Sequence, residues 1–463
     1  MTTTPARPDI SPADPRRVAA VQRRTLGVLT AAQITSGMGV AVSFTLSSVL
    51  VTRLSGSEAI GGLAGTATVL GAALLALPTA RASGAGGRRT GLTLAYGCAT
   101  LGCLVTVLAI AVGSWPLLLA GLVLFGGGSA GNLASRYSAT DLSPAGHAAR
   151  HLSWVVWAAT VGSVAGPNLA DPADQLGEEL GLPAGAGPFA LALLAFVLAL
   201  GVITAGLRPD PLVLARSLTA PARGTGGAAG AEGGSAAAAG PAAAGPGARP
   251  AAEAPGAGST AGTGDGTLRT AWRSLRESPA ALRALIAIAV SHTAMVSIMS
   301  MTPIHLDHHG AAISVIGMVI SLHIAGMYVL SPAVGWLADR AGRVPVLVLG
   351  MALLLVAAVL AGTAGEHGVP QVTAGLVLLG LGWSCGHVAG SAMLTEAVPL
   401  ARRPAAQGLS DLVMNVCGAT GTVVAGVVVQ VMSYGVLGGA VAAGVAAVAV
   451  WLALGHRRPA GAA

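Results

Sequence analysis

Gly335-Trp336-Leu337-Ala338-Asp339-Arg340-Ala341-Gly342-Arg343 decides how this chain folds. The stretch closes one long apolar run, near residues 312 to 337, and opens another, near 344 to 364. Between them stand one carboxylate and two guanidinium groups framed by glycines. Gly335 and Gly342 permit a tight turn, Asp339 suits a helix N-terminus, and the arginines suit carbonyl groups or lipid phosphates. Two apolar runs of this length joined by so short a charged turn read as a helical hairpin whose tip stands in water.

The same pattern extends over the whole chain. Of 463 residues, 53% are apolar and 9% charged, with 67 glycines, 26 prolines and a mean hydropathy of +0.74. A soluble domain carries about a quarter charged residues, so an ordinary soluble protein is excluded. A hydrocarbon core about 30 Å thick takes about 20 apolar residues of helix to cross. Twelve runs meet that length, near 25 to 52, 59 to 80, 90 to 113, 116 to 138, 151 to 170, 187 to 207, 281 to 304, 312 to 337, 344 to 364, 370 to 397, 405 to 431 and 434 to 454. Aromatic residues make up only 3% of the chain, so helices must pack through Ala, Gly, Val and Leu. The four cysteines, Cys98, Cys103, Cys385 and Cys417, lie within apolar runs and suggest neither a disulfide framework nor a zinc site. Residues 1 to 24 are polar and Arg-rich, and the first apolar run is full length, which argues against a cleavable signal peptide.

Every one of the 25 basic residues is arginine, and their placement sets topology. Arg16, Arg17, Arg23 and Arg24 precede span one, Arg81, Arg88 and Arg89 follow span two, and Arg150 follows span four. Arg340, Arg343, Arg402 and Arg403 lie in later loops of the same parity, and Arg457 and Arg458 end the chain. Opposite loops hold only Arg53, and one of them holds Asp171, Asp174, Glu178 and Glu179. Basic loops stay in the cytoplasm, so both termini are expected there, in a multi-pass protein of the plasma membrane. The net charge of +7 then records topology and gives no reason to expect nucleic acid as a partner.

Spans six and seven are separated by an Ala, Gly, Pro, Ser and Thr insert, roughly 211 to 266, that cannot bury enough apolar surface to fold. At its end Leu268, Trp272 and Leu275 share one face of a possible helix, with Arg269, Arg273 and Arg276 on the other. That piece reads either as a helix lying on the inner membrane surface or as a plain run-in to span seven. The expected organisation is a cytoplasmic tail (1–24), a six-helix bundle (25–207), a flexible cytoplasmic linker (208–280), a second six-helix bundle (281–454) and a short cytoplasmic tail (455–463). The fold class is all-α, twelve transmembrane helices in two bundles, the layout of carriers with a site at the midplane.

The nine residues quoted first resemble the G-x-L-A-D-R-x-G-R loop motif of the major facilitator superfamily. The resemblance implies that Gly335, Asp339, Arg340, Gly342 and Arg343 form a latch that holds one conformation of a rocking cycle. The symmetric loop, Leu77 to Arg89, keeps a glycine and two arginines but has no aspartate, so any latch there must differ. Gly162, Gly166 and Pro167 resemble the G-x-x-x-G-P motif of drug-proton antiporters in that superfamily, and the same spacing also serves plain helix packing.

Nine of the ten methionines other than Met1 lie in the second half. Met295 and Met299 in span seven, and His323 and Met327 in span eight, are each four apart and so share a helix face. Thioether and imidazole groups suit monovalent copper, and a neutral, weak ligand set suits a carrier. The alternative is that methionine fills gaps in an apolar core and that His323 hydrogen-bonds across helices. M-x-x-x-M followed by H-x-x-x-M, 24 residues on, is similar to the copper-importing branch of the superfamily. That resemblance implies copper as cargo and these four residues as ligands; related carriers move riboflavin or other organic molecules. Cys385, His387, Met393 and Met414 are further candidates in spans ten and eleven, His387 equally as a hydrogen-bonding or proton-coupling group. Arg136, Asp141, Glu396 and Asp411 near the inner ends of spans read as inner-gate or structural charges, with Arg402 and Arg403 as partners for the last two. Two expectations about function follow: copper import, or proton-coupled transport of a small organic solute such as a drug or a riboflavin-like molecule. Both are secondary-active, by alternating access, in a monomer surrounded by lipid, with no cofactor and no enzymatic site.

Overall fold

The computed structural model describes residues 14–219, 264–310, 313–365 and 368–456, all-helical with no strand among them. The first half contains α1 (Pro15–Ser55), α2 (Glu58–Gly61), α3 (Leu63–Gly86), α4 (Arg88–Ala111), α5 (Trp115–Ser138), α6 (Ala148–Glu179) and α7 (Gly187–Gly206). The connecting segment contributes α8 (Pro211–Thr219) and α9 (Gly264–Glu277). The second half follows as α10 (Pro279–His308), α11 (Ile313–Tyr328), α12 (Ser331–Ala341), α13 (Arg343–Gly362), α14 (Val369–Ala397), α15 (Arg403–Val431) and α16 (Tyr434–His456). Each half holds six spans, α11 and α12 together making one.

Eleven of these stretches are long and apolar enough to cross a bilayer by composition alone, and α6 is not among them. Its 32 residues include Ser153, Thr160 and Asn168 and run into Asp171, Asp174, Glu178 and Glu179. It packs along α1 on one side and meets α11, α12 and α14 of the other half on another. Ser153 is buried and Thr160 half-buried, while the exposed Asn168 satisfies its amide within the helix by donating to the Val164 carbonyl at 2.7 Å, so the side chains that lower the hydropathy of the span are either at least partly covered by protein or bonded to the helix itself. Span one is longer than the apolar run indicates, because Asp14 caps α1 by accepting from the Arg16 amide and Pro15 starts the first turn.

The interiors of the halves differ in substance. Phe125 meets the rings of Phe196 at 5.5 Å and Phe189 at 6.3 Å, both edge-on, and Tyr96 stacks on Phe196 at 6.5 Å. In the second half Met351, Leu354, Leu376, Leu379 and Val388 form the core without a phenylalanine. Gly162 and Gly166 lie where α6 crosses α1; a Cβ on either would collide with the backbone of Gly37, Met38 or Val42. Close backbone approach is thus what that spacing does here. The Pro167 ring lies outside what is described.

Two turns repeat across the halves. Gly87 between α3 and α4 has φ +91°, and Gly342 between α12 and α13 has φ +96°, a region that L side chains rarely adopt. Each turn hands an arginine to the next helix. Arg88 pairs with Asp141 at 2.7 Å, and Arg343 pairs with Glu396 at 2.6 Å and Asp339 at 2.6 Å.

The halves are joined at the arginine-rich end. Asp339 accepts from the Ala149 amide at 3.2 Å and the Arg150 amide at 2.9 Å, which are the first amides of α6. Arg88 also reaches Gln407 at 2.7 Å, Arg136 reaches Asp411 at 2.7 Å, and Tyr137 reaches Ser410 at 3.2 Å. Beside these bonds, Gly335 lies against Ser153 and Gly408 against Ala80.

Two expectations need correction. Residues 211–219 form α8: Asp210 caps it by accepting from the Leu212 and Val213 amides, Leu212 and Ala215 are buried, and Arg216 donates to the Gly84 carbonyl at 2.8 Å. The remaining insert, 220–263, and the tails with Arg7, Arg457 and Arg458 lie outside the described residues. Arg402 and Arg403 do not pair with Glu396 and Asp411; Arg402 binds Glu277 and Arg403 donates to the Val398 carbonyl. On α9, Leu275 and Ala271 are buried while Trp272 is 54% exposed, so the apolar face divides between protein and surroundings.

A central cavity between the halves

Just beyond the join, a cavity of about 490 Å³ lies between α1, α5 and α6 on one side and α10, α11, α14 and α15 on the other. The first-half wall carries four polar side chains, Gln33, Ser129, Asn132 and Arg136, among small and aliphatic residues of α1, α5 and α6. The second-half wall is soft and aromatic: Met295, Met299, Met327, Met414, Tyr328 and Trp383, with His292, His387 and Asn415 among them. Helical spacing explains each group. Gln33, Gly37, Val40 and Ala41 recur along one side of α1, and Ser129, Asn132, Leu133 and Arg136 along one side of α5. Tyr328 is the last residue of α11. The span breaks there because Ser331-Pro332 begins a new helix, with Ser331 Oγ donating to the Tyr328 carbonyl at 2.7 Å. A discontinuous helix at the midplane is where carriers of this architecture place substrate sites.

The aromatic cluster is preorganised. Trp383 stacks on His387 with ring centres 4.4 Å apart, meets Tyr328 edge-on at 5.7 Å and donates its indole N–H to His292 Nδ1 at 3.1 Å. That bond sets His292 Nδ1 as an acceptor. Opposite, Asn132 Oδ1 accepts from Ser36 at 2.5 Å and from Tyr96 at 3.2 Å, which holds its amide in one orientation. Several buried polar atoms in the lining have no partner among the described residues: Gln33 Oε1, Arg136 Nη1 and His387 Nδ1.

The residues singled out in the sequence divide. Met295, Met299 and Met327 line the cavity, and so do His387 and Met414. His323 is fully buried and faces α14, its Nδ1 2.7 Å from the Leu376 carbonyl oxygen. Cys385 is buried toward α13, where Gly350 makes room for it, and Met393 is buried outside the lining. At the far end of α10, His305 stacks on Tyr434 at 4.3 Å and lies 4.6 Å from His309; the Asp307 and His308 side chains lie outside what is described. His292, Trp383, Tyr328, Gln33 and Asn132 were not singled out. The available signal was Trp383 and His387, four apart in the most buried span.

Two six-helix halves joined at one end, with a solute-sized cavity between them, define a multi-pass secondary transporter. Residues 29–314 and 284–463 match the Major Facilitator Superfamily, and the chain belongs to that family. It is 32% identical over 441 residues to YdeG of Bacillus subtilis, an uncharacterized MFS-type transporter, covering 94% of each chain. It is 26% identical over 404 residues to the riboflavin transporter RfnT of Brucella anthropi, covering 86% of each. Among solved structures it superposes with a TM-score of 0.67 on the proton:xylose symporter XylE, at 14% identity, covering 94% of this chain and 96% of that one. It superposes equally on a bacterial homologue of the iron transporter ferroportin in its outward-facing state, at 15% identity, covering 94% and 100%. Those likenesses speak to the fold.

Proposed function

We propose that this transporter carries a small organic solute with a flat ring system, by alternating access about the central cavity. The observation that carries the reading is the lining itself. A volume of about 490 Å³ with a fixed Trp383, Tyr328 and His387 cluster on one wall and Gln33 and Asn132 on the other fits a ring-bearing molecule of tens of atoms. Flat rings gain from contact with aromatic faces and thioethers, and amide edges supply orientation. The likeness to RfnT supports a solute of this kind. The arginine-rich end is the cytoplasmic one, in the plasma membrane, and each chain works as a monomer because it holds a whole cavity. Asp339 on the first amides of α6 is the latch that keeps the cytoplasmic end shut.

Copper remains a second reading, favoured by Met295, Met299, Met327 and Met414 lining one wall. Thioethers alone are enough for a soft monovalent ion. It is the weaker reading because His323, the imidazole of its motif, is turned toward α14.

Uptake of radiolabelled riboflavin, and separately of copper under reducing conditions, into proteoliposomes containing the full chain tests both. The organic reading expects riboflavin or a competing flat solute to be transported, with Trp383→Ala abolishing it and Met299→Ala reducing it less than tenfold. Copper uptake lost in Met299→Ala, with no flat solute transported, would replace it by the second reading.

A further inference from the structure

Arg136 is the one arginine in the cavity lining, and it is buried. Three of its contacts are set: Nε donates to Ser391 Oγ at 3.2 Å, and Nη2 donates to Tyr137 Oη at 3.1 Å and to Asp411 Oδ1 at 2.7 Å. Nη1 is buried with no partner among the described residues. A guanidinium nitrogen without an acceptor, in a place shielded from solvent, carries an unmet demand for an oxygen. The same guanidinium holds the halves together, since Arg136 lies in α5 and Asp411 and Ser391 lie in α15 and α14.

The geometry points to Arg136 as the anchor for an anionic group of the solute, so that the solute class is a flat organic acid whose carboxylate displaces Asp411 from the guanidinium. This rests on the organic-solute reading above and adds a charge to it. A carboxylate matches the planar fork of a guanidinium through two parallel hydrogen bonds, with Nη1 available for one of them. The ring system then lies along Trp383 and the thioethers, while the acid end reaches the floor shared by both halves.

Charge balance supplies the next step. The resting pair is neutral: one guanidinium and one carboxylate, both at most 6% exposed. A second carboxylate would leave this buried site with a net negative charge, which is costly. Neutrality returns when Asp411 takes a proton from the medium as the solute acid takes its place: one carboxylate and one proton enter together, and the site's charge is unchanged. The groups around the pair are Tyr137 on α5, Tyr328 on α11, His292 on α10 and His387 on α14, with Arg88 on α4, paired to Asp141. Once the solute acid holds Arg136, Asp411 is the carboxylate left without a cation, because Arg88 is matched by Asp141, and it takes the proton in preference to His387, whose Nδ1 also lacks a partner among the described residues. Loss of the Arg136 to Asp411 pair also removes one of the bonds that close the arginine-rich end. Loading would therefore loosen the join.

Calorimetric titration of the full-length protein in lipid nanodiscs with 2-naphthoate and with the neutral 2-naphthamide, at about pH 8 and about pH 6, tests this. Naphthoate stays ionised across that range, as an ordinary carboxylate does. The expected result in the unmodified protein is that naphthoate binds more tightly as pH falls, up to ~10-fold per pH unit, while naphthamide does not respond. Asp411→Asn should bind naphthoate at pH 8 as tightly as the unmodified protein does at pH 6, and Arg136→Gln should lose the preference for the acid. Naphthoate binding that is no tighter than naphthamide, or is indifferent to pH in the unmodified protein, overturns the inference and needs no variant to show it. If naphthamide still binds in that case, the organic-solute reading survives; if neither binds and monovalent copper does, both fall.

Discussion

The loop between α12 and α13 and its counterpart between α3 and α4 occupy equivalent places and join the two halves at the same end by different chemistry. In the second half the work falls to Asp339, which crosses the interface to cap α6, while its neighbour pair, Arg343 with Glu396, stays largely within its own half and has Glu396 41% exposed. In the first half Gly84 stands near Pro404 at the start of α15, and no carboxylate reaches that helix from the α3 to α4 turn. There the arginine pair itself is sunk out of solvent, with Arg88 at 3% and Asp141 at 0% side-chain exposure, and Arg88 extends across to Gln407. One contact is a carboxylate on a helix end, with 11% of the Asp339 side chain exposed. The other is a buried ion pair with a hydrogen bond added. Symmetry of fold therefore conserved the place of the contact and not its strength.

The comparison can be broken most severely at Asp141. Asp141→Asn leaves the Arg88 charge buried without its partner, which should cost about 3–5 kcal/mol and lower the thermal unfolding midpoint in detergent markedly. If the midpoint moves no more than for a surface change, the first-half pair is not the strong member. A gentler cut is Asp339→Asn, which keeps one acceptor for the α6 amides but loses the charge opposite the helix dipole and the Arg343 pair. It should cost about 1 kcal/mol. That shifts the ratio of closed to open forms roughly fivefold, readable as a longer distance population between spin labels on α6 and α12. An unchanged distribution would mean that Asp339 holds the turn and not the interface.

The smallest effect is expected at Glu277, which ties α9 to the loop before α15. The guanidinium groups of Arg273 and Arg402 hold its carboxyl below the ordinary glutamate range. A lowered acid contributes fully above that ordinary range and loses its contribution as pH falls through the lowered value. The protection of α9 amides, measured as the exchange rate relative to the intrinsic rate at each pH, should thus hold from pH 7 down to about pH 5 and fall below, while Glu277→Gln should show one lower protection throughout. Equal rates in the two proteins at pH 7 would show that the exposed pair contributes nothing.

Much of this architecture could be read from the chain because its signals are strong and local. Apolar run length gave the spans, arginine placement gave their alternation, and the glycine and aspartate of the second-half loop told that a helix end would be met. Which helix end was beyond local reading, because α6 belongs to the other half and lies 190 positions from Asp339. The cavity was less readable for a related reason. Spacing of four places Met295 with Met299 and His323 with Met327 on common faces, yet a residue four on is turned by about 40° around the helix. That offset is enough to put Met327 at the cavity and His323 against α14. Arg136 was seen as an inner charge, but its partner Asp411 is 275 positions away. Spans five and one were found but are longer than their apolar runs, five through the acidic turns that end α6 and one through an N-terminal cap outside the apolar run.

The small residues at the join carry one more consequence. Where Gly335 meets Ser153 and Gly408 meets Ala80, the two halves touch through small residues, and long polar side chains cross the join beside them. At those two contacts parting the halves gives up little interdigitated surface, so dispersion holds them weakly there and the polar side chains beside them hold more. The height of the step between closed and open is then set by a handful of polar contacts. A switch built that way can be retuned by changing one charge, without recasting the surfaces that slide.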